Sequence, residues 1–101
     1  MYEAVASGDV DVISAFSSDG RIAKYDLVLL EDPRQTIPPY DAIVLVAPSR
    51  ASDKALLAAL RPLLGKIDVK LMQEANLRAD RTEDKQTPEQ VATWLWERIA
   101  R

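Results

Sequence analysis

The residues able to do chemistry fall in two short stretches. "AFSSDGRI", Ala15 to Ile22, gathers an aromatic ring, two hydroxyls, a carboxylate, a glycine and a cation. "PPYDA", Pro38 to Ala42, presents Tyr40 behind two prolines. Those prolines fix φ and withhold two backbone donors, so the corner is neither helix nor central strand. The chain has no histidine and no cysteine, which removes Ser–His and Cys–His catalysis, disulfides and most zinc sites. The paired acids Asp9/Asp11, Glu31/Asp32 and Glu83/Asp84 sit near segment ends, where a solvated charge is the plain reading. The expectation is therefore no catalytic residue, no metal site, no cofactor and no enzyme. Two readings of the remaining chemistry stand. Arg21 pairs with Asp19 in an Asx-type turn and Tyr40 is a packed rim residue, or both stretches meet a ligand at strand ends, where α/β sheets bind them.

The elements around these stretches follow from punctuation and periodicity. Residues 1–7 predict the end of a helix closed by Gly8. "DVDVISAF" alternates and predicts a strand, and "SSDG" then permits a tight reversal or a helix start. "DLVLLED" and "DAIVLVAP" are apolar runs closed by prolines, without clean alternation, which suits strands covered on both faces. Three helices follow. Ser52 is expected to cap the first, with a stripe of Leu56, Leu57, Leu60, Leu63 and Leu64, a kink at Pro62 and a stop at Gly65. Asp68 caps the second, with Ile67 and Met72 spaced for a hydrophobic staple. "TPEQ" opens the third with a Thr87–Gln90 capping box and Pro88 at the first helical position. On that helix Trp94 shares a face with Val91, Leu95 and Ile99, while Trp96 points elsewhere.

Composition bounds the function. The chain has 101 residues, 48% hydrophobic and 29% charged, the make-up of a small globular domain or part of one. A net charge of −3 and the lack of a basic cluster argue against nucleic acid as a partner. No apolar run is long enough to cross a bilayer, and no signal peptide pattern opens this chain. It starts in mid-helix and offers three strands, so the expectation is the tail of a longer α/β protein.

"AFSSDGRIAKYDLVLLEDPRQTIPPYDAIVL" resembles the C-terminal part of the quaternary-ammonium-binding proteins of ABC importers, the glycine betaine/choline osmoprotectant family. The likeness lies in an aromatic–serine–hydroxyl–aspartate turn with glycine and arginine, a Leu-Glu-Asp run, and a Pro-Pro-Tyr corner. It continues through "YEAVASGDVDV", the leucine-rich helix, "GKIDVKLMQEANLRAD" and the proline-opened last helix. The resemblance implies an α/β chain, a partial type II periplasmic-binding-protein-like fold made of its C-terminal segment. Short β-strands would be followed by three helices. Residues 1–22 would be crossover helix, strand and ligand turn, and residues 23–101 strands and C-terminal helices. Phe16 and Tyr40 would be walls of an aromatic box, with Ser18 and Asp19 beside them. Phe16 stands where the family usually carries tyrosine, and Ser18 where threonine is usual. The implied partners are a small quaternary ammonium ligand and ABC permease subunits or a fused permease domain, at the periplasmic or extracellular membrane face. The alternative is a truncated structural fragment that binds no ligand of its own and forms a homo-dimer by segment exchange.

Overall fold

The computed structural model describes residues 1–101 as helices joined by extended and irregular chain. Helix α1 (Tyr2–Ser7) stops at Gly8, which takes φ 83°, a left-handed cap that a side chain would strain. Helix α2 (Gly20–Lys24) is one short turn and a half, started by Asp19, whose side chain accepts the Arg21 N–H at 2.9 Å. Of the two outcomes open to "SSDG", the chain takes the helix start. A 3₁₀ turn at Pro48–Arg50 leads to α3 (Lys54–Leu60). Asp53, not Ser52, caps α3: its carboxylate accepts the Leu56 N–H at 3.0 Å and pairs with Arg50 at 2.7 Å. A carboxylate outcompetes a hydroxyl here because it satisfies the helix dipole and a cation together. Pro62 turns the end of that helix into a 3₁₀ turn, Arg61–Leu63.

Helices α4 (Val69–Asp80) and α5 (Pro88–Ile99) are the long ones. Asp68 caps α4 through the Leu71 N–H at 2.8 Å. Thr87 and Gln90 form the reciprocal capping box on α5, and Pro88 opens it. The two helices meet at Trp94. The Arg78 guanidinium lies 4.1 Å from its ring centroid, and Arg98 lies 4.9 Å away. Arg78 is itself fixed by Glu74, one turn back at 2.7 Å. Val91 is the buried contact of α5, whereas Trp94 is half-buried beneath its two cations and Trp96 is exposed.

The tightest docking is α2 against α4. A Cβ on Gly20 would fall 2.7 Å from Leu77 Cα and 2.9 Å from the Asn76 carbonyl carbon, so the two backbones touch where only glycine fits. Ile22, Ala75 and Tyr2 are buried around this contact and form most of the core.

The expected α/β architecture with short β-strands does not form, because no residue of the chain is in a strand. "DVDVISAF", "DLVLLED" and "DAIVLVAP" are extended but unpaired, and none of the 45 backbone hydrogen bonds joins one to another. The cause is topological. Neighbouring parallel strands need a crossover of about a dozen residues or more, and a hairpin needs a tight reversal. Residues 33–40 are too short for a crossover, and the reversal they make at Asp32–Gln35 runs into Pro38 and Pro39, which withhold the donors a paired strand would need at its start. Side chains chosen for cover on both faces therefore stand in solvent: Val28 and Leu45 are each 84% exposed. The radius of gyration is 16.8 Å, against about 13 Å for a compact chain of this length.

Gly20→Ala tests the central contact. The added methyl meets backbone that cannot rotate away, so the expected destabilisation is about 1–3 kcal/mol. Urea unfolding followed by helical circular dichroism checks it, and an unchanged midpoint would show that α2 and α4 do not touch.

Candidate functional site

The Phe16 turn is built from the backbone outwards. Ser17 and Ser18 present successive carbonyls to α4, where Gln73 Nε2 donates to Ser17 at 2.6 Å and Asn76 Nδ2 donates to Ser18 at 2.7 Å. Asp19 N–H donates back to the Phe16 carbonyl at 3.1 Å, closing the turn. Asp19 then makes a two-pronged pair with Arg21, Nε to Oδ1 at 3.0 Å and Nη2 to Oδ2 at 2.8 Å. The Arg21 guanidinium also lies 4.1 Å from the ring centroid of buried Tyr2, which ties α1 to the turn. The Arg21 hydrogen bond, the largest cause, holds the Asp19 carboxyl down at about 2, below its ordinary 3.8. Burial, helped by the Asp19 carboxylate beside it, pushes the Tyr2 hydroxyl up.

The Tyr40 corner is fixed separately. Asp32 Oδ2 accepts the Ile37 N–H at 2.7 Å, just before the two prolines, and Gln35 N–H reaches the Asp32 carbonyl at 3.0 Å. The Ile37 bond lowers the Asp32 carboxyl below its usual range. Gln35 takes φ 51° to make the reversal.

The two stretches converge. Phe16 and Tyr40 ring centroids are 4.8 Å apart with planes at 38°, and both side chains are more than half exposed, 63% and 61%. At that distance the rings touch and leave no room for a group between them. Ser18 and Asp19 adjoin the corner along the chain. The Asp19 carboxylate is occupied by Arg21 and the helix N-terminus, and the Ser18 carbonyl by Asn76. A cavity of about 330 Å³ lies elsewhere, lined by Gly20, Arg21, Lys24, Asp80, Arg81 and Thr82 among others. Its charged wall lacks aromatic faces and includes neither ring. No cluster of three or more acidic side chains stands together to hold a metal ion, and no helix is long and apolar enough to cross a membrane.

Gln73, Asn76 and Asp32 escape a reading by residue type. The signal for the first two is their i, i+3 spacing, which puts two amides on one face of α4. For Asp32 it is the position of a carboxylate before a proline-bounded reversal.

A braced polar turn and a proline corner thus bring two aromatic rings together. Residues 1–98 match OpuAC, the substrate binding domain of ABC-type glycine betaine transport systems, and the chain belongs to that family. It is 37% identical over 81 residues to the carnitine transport binding protein OpuCC of Listeria monocytogenes serotype 1/2a (strain 10403S). The same identity holds for the protein of that name from Listeria monocytogenes. The aligned part is 79% of this chain and 26% of the relative, so the chain spans about a quarter of the length of the curated relatives it matches. No solved structure matches it. The family is one of transport rather than catalysis.

Acid titration tests the Asp19–Arg21 brace. A carboxyl whose folded pKa is depressed stabilises the fold above its ordinary value and loses that contribution as pH falls through the folded value. For Asp19 the window runs from 3.8 down to about 2. Wild type is expected to lose stability across that window by more than Asp19→Asn, which starts lower at neutral pH. Urea midpoints at stepped pH check it, and parallel curves for the two proteins would show that the pair contributes nothing.

Proposed function

We propose that the chain is a C-terminal part of the solute-binding component of an ABC importer for quaternary ammonium osmoprotectants such as glycine betaine or choline. Residues 1–22 carry the ligand turn, and residues 23–101 carry the proline corner and the C-terminal helices. Phe16 and Tyr40 are two walls of an aromatic cage, with Ser18 and Asp19 at its rim. The observation that supports this reading is the contact of two half-exposed rings 24 residues apart in sequence, each held by its own stiff turn. A trimethylammonium group has no N–H to donate, so its recognition rests on ring faces and shape. The carnitine named for the Listeria relatives carries such a head. The intact protein would work with permease subunits or a fused permease domain, at the periplasmic or extracellular face of the membrane.

Two walls set the strength. Each cation–π contact contributes about 0.5–2 kcal/mol, so the pair supplies about 1–4 kcal/mol, or millimolar binding at best. Titration of the chain with glycine betaine, carnitine and choline is expected to shift the Phe16 and Tyr40 ring signals with a dissociation constant of about millimolar or weaker. Tyr40→Ala is expected to remove the shift. A micromolar constant, or no shift up to the solubility limit, would overturn the reading.

The exposure of Val28, Leu30, Ile43 and Leu45 favours a second reading, a fragment that covers this surface with another copy, exchanging its N-terminal segment. Light scattering across a dilution series decides it. A dimer mass that falls on dilution is expected from this reading, and a constant monomer mass would end it.

A further inference from the structure

We propose that Gln73 and Asn76 are positioning residues for the aromatic corner: from the rigid helix α4 they hold the Phe16 turn by two successive carbonyls and so set where the ring stands. The inference rests on the cage reading above and extends it to residues that touch no ligand. Phe16 is 63% exposed, so packing alone does not aim its ring. Its backbone must.

The two amides supply that constraint. Gln73 reaches Ser17 across 56 positions of sequence and Asn76 reaches Ser18 across 58, at 2.6 Å and 2.7 Å. A carbonyl can only accept, so each amide must turn its NH₂ toward the turn. Gln73 is 7% exposed, and a buried polar side chain of this kind is costly without its partner. Gly20 closes onto Leu77 and Asn76 just beyond the turn, which prevents the turn from sliding along α4. The support helix is itself pinned at both ends, by the Asp68 cap and by Arg78 on Trp94. Rigid presentation of a recognition ring lowers the ordering cost of binding. On the other wall, the Asp32–Ile37 bond and the two prolines do the same for Tyr40.

The chain has one phenylalanine, so 4-fluorophenylalanine places a single fluorine reporter at Phe16. Gln73→Glu and Asn76→Asp keep the shape and lose the donor once the carboxyl is ionised. In the ligand-free chain, each is expected to lose the Phe16–Tyr40 ring nuclear Overhauser effect as pH rises through the new carboxyl, while wild type stays constant. Helical circular dichroism and tryptophan fluorescence should not change, which separates positioning from unfolding. Glycine betaine titration of the same samples should show affinity weakened about two- to tenfold, the effect of one hydrogen bond. Should both variants keep the ring contact at all pH values, or bind glycine betaine as tightly as a wild type that does bind it, the positioning role is overturned. If wild type shows the ring contact, the variants lose it, and no sample binds glycine betaine, the cage reading fails while the positioning role stands.

Discussion

The docking of the Ser17–Gly20 turn onto helix α4 is the constraint from which the rest of the ordered structure follows. Its direction comes from two side-chain amides on two carbonyls, and a glycine lets backbone meet backbone. Hydrogen bonds of this kind contribute little net free energy each, about 0.5–1.5 kcal/mol, but they are directional. A small apolar cluster of Ile22, Ala75 and Tyr2 supplies the rest. Direction matters more than strength here, because the turn carries Phe16 and starts α2, whose Arg21 in turn reaches Tyr2 of α1. One contact thus fixes the ring, the Asp19 cap and the first helix together.

Beyond that contact the chain has little to bury. Two apolar runs, at 27–30 and 42–46, resemble core strands in composition but lie in solvent, since nothing in the chain covers them. Extended chain with unpaired backbone loses only its ladder bonds to water, while folding it alone would cost the conformational entropy of every ordered residue. The two halves of the chain therefore differ in kind. Helices satisfy their own backbone groups and form where caps mark them, whereas strands depend on neighbours.

That difference explains what was legible in the sequence. Gly8, Asp68 and the Thr87–Gln90 box act as local chemistry dictates, because capping is settled within four residues. Ser52 was a fair cap by type, yet Asp53 won through a cation at Arg50 that residue type alone does not rank. The strand assignments failed because β pattern records the environment a segment is suited to, not a partner that is present. Of the site, Phe16 and Tyr40 could be picked out by their stiff, chemistry-bearing neighbourhoods. Gln73 and Asn76 could not, since an amide on a helix face reads as solvated until something 56 residues away turns out to need it.

The two rings gain their meeting from opposite strategies. Tyr40 is held locally, by two prolines that fix φ and a carboxylate that takes the preceding N–H, so its geometry survives without a sheet behind it. Phe16 is held at long range, through α4, and depends on the helical half of the chain. A corner made this way joins the extended part of the molecule to its helical part. The ring contact at 4.8 Å is then a link between the proline corner and the turn that docks on α4. On the proposed cage reading, binding would be coupled to this contact, because a cation that favours the joined rings stabilises the arrangement that holds them together.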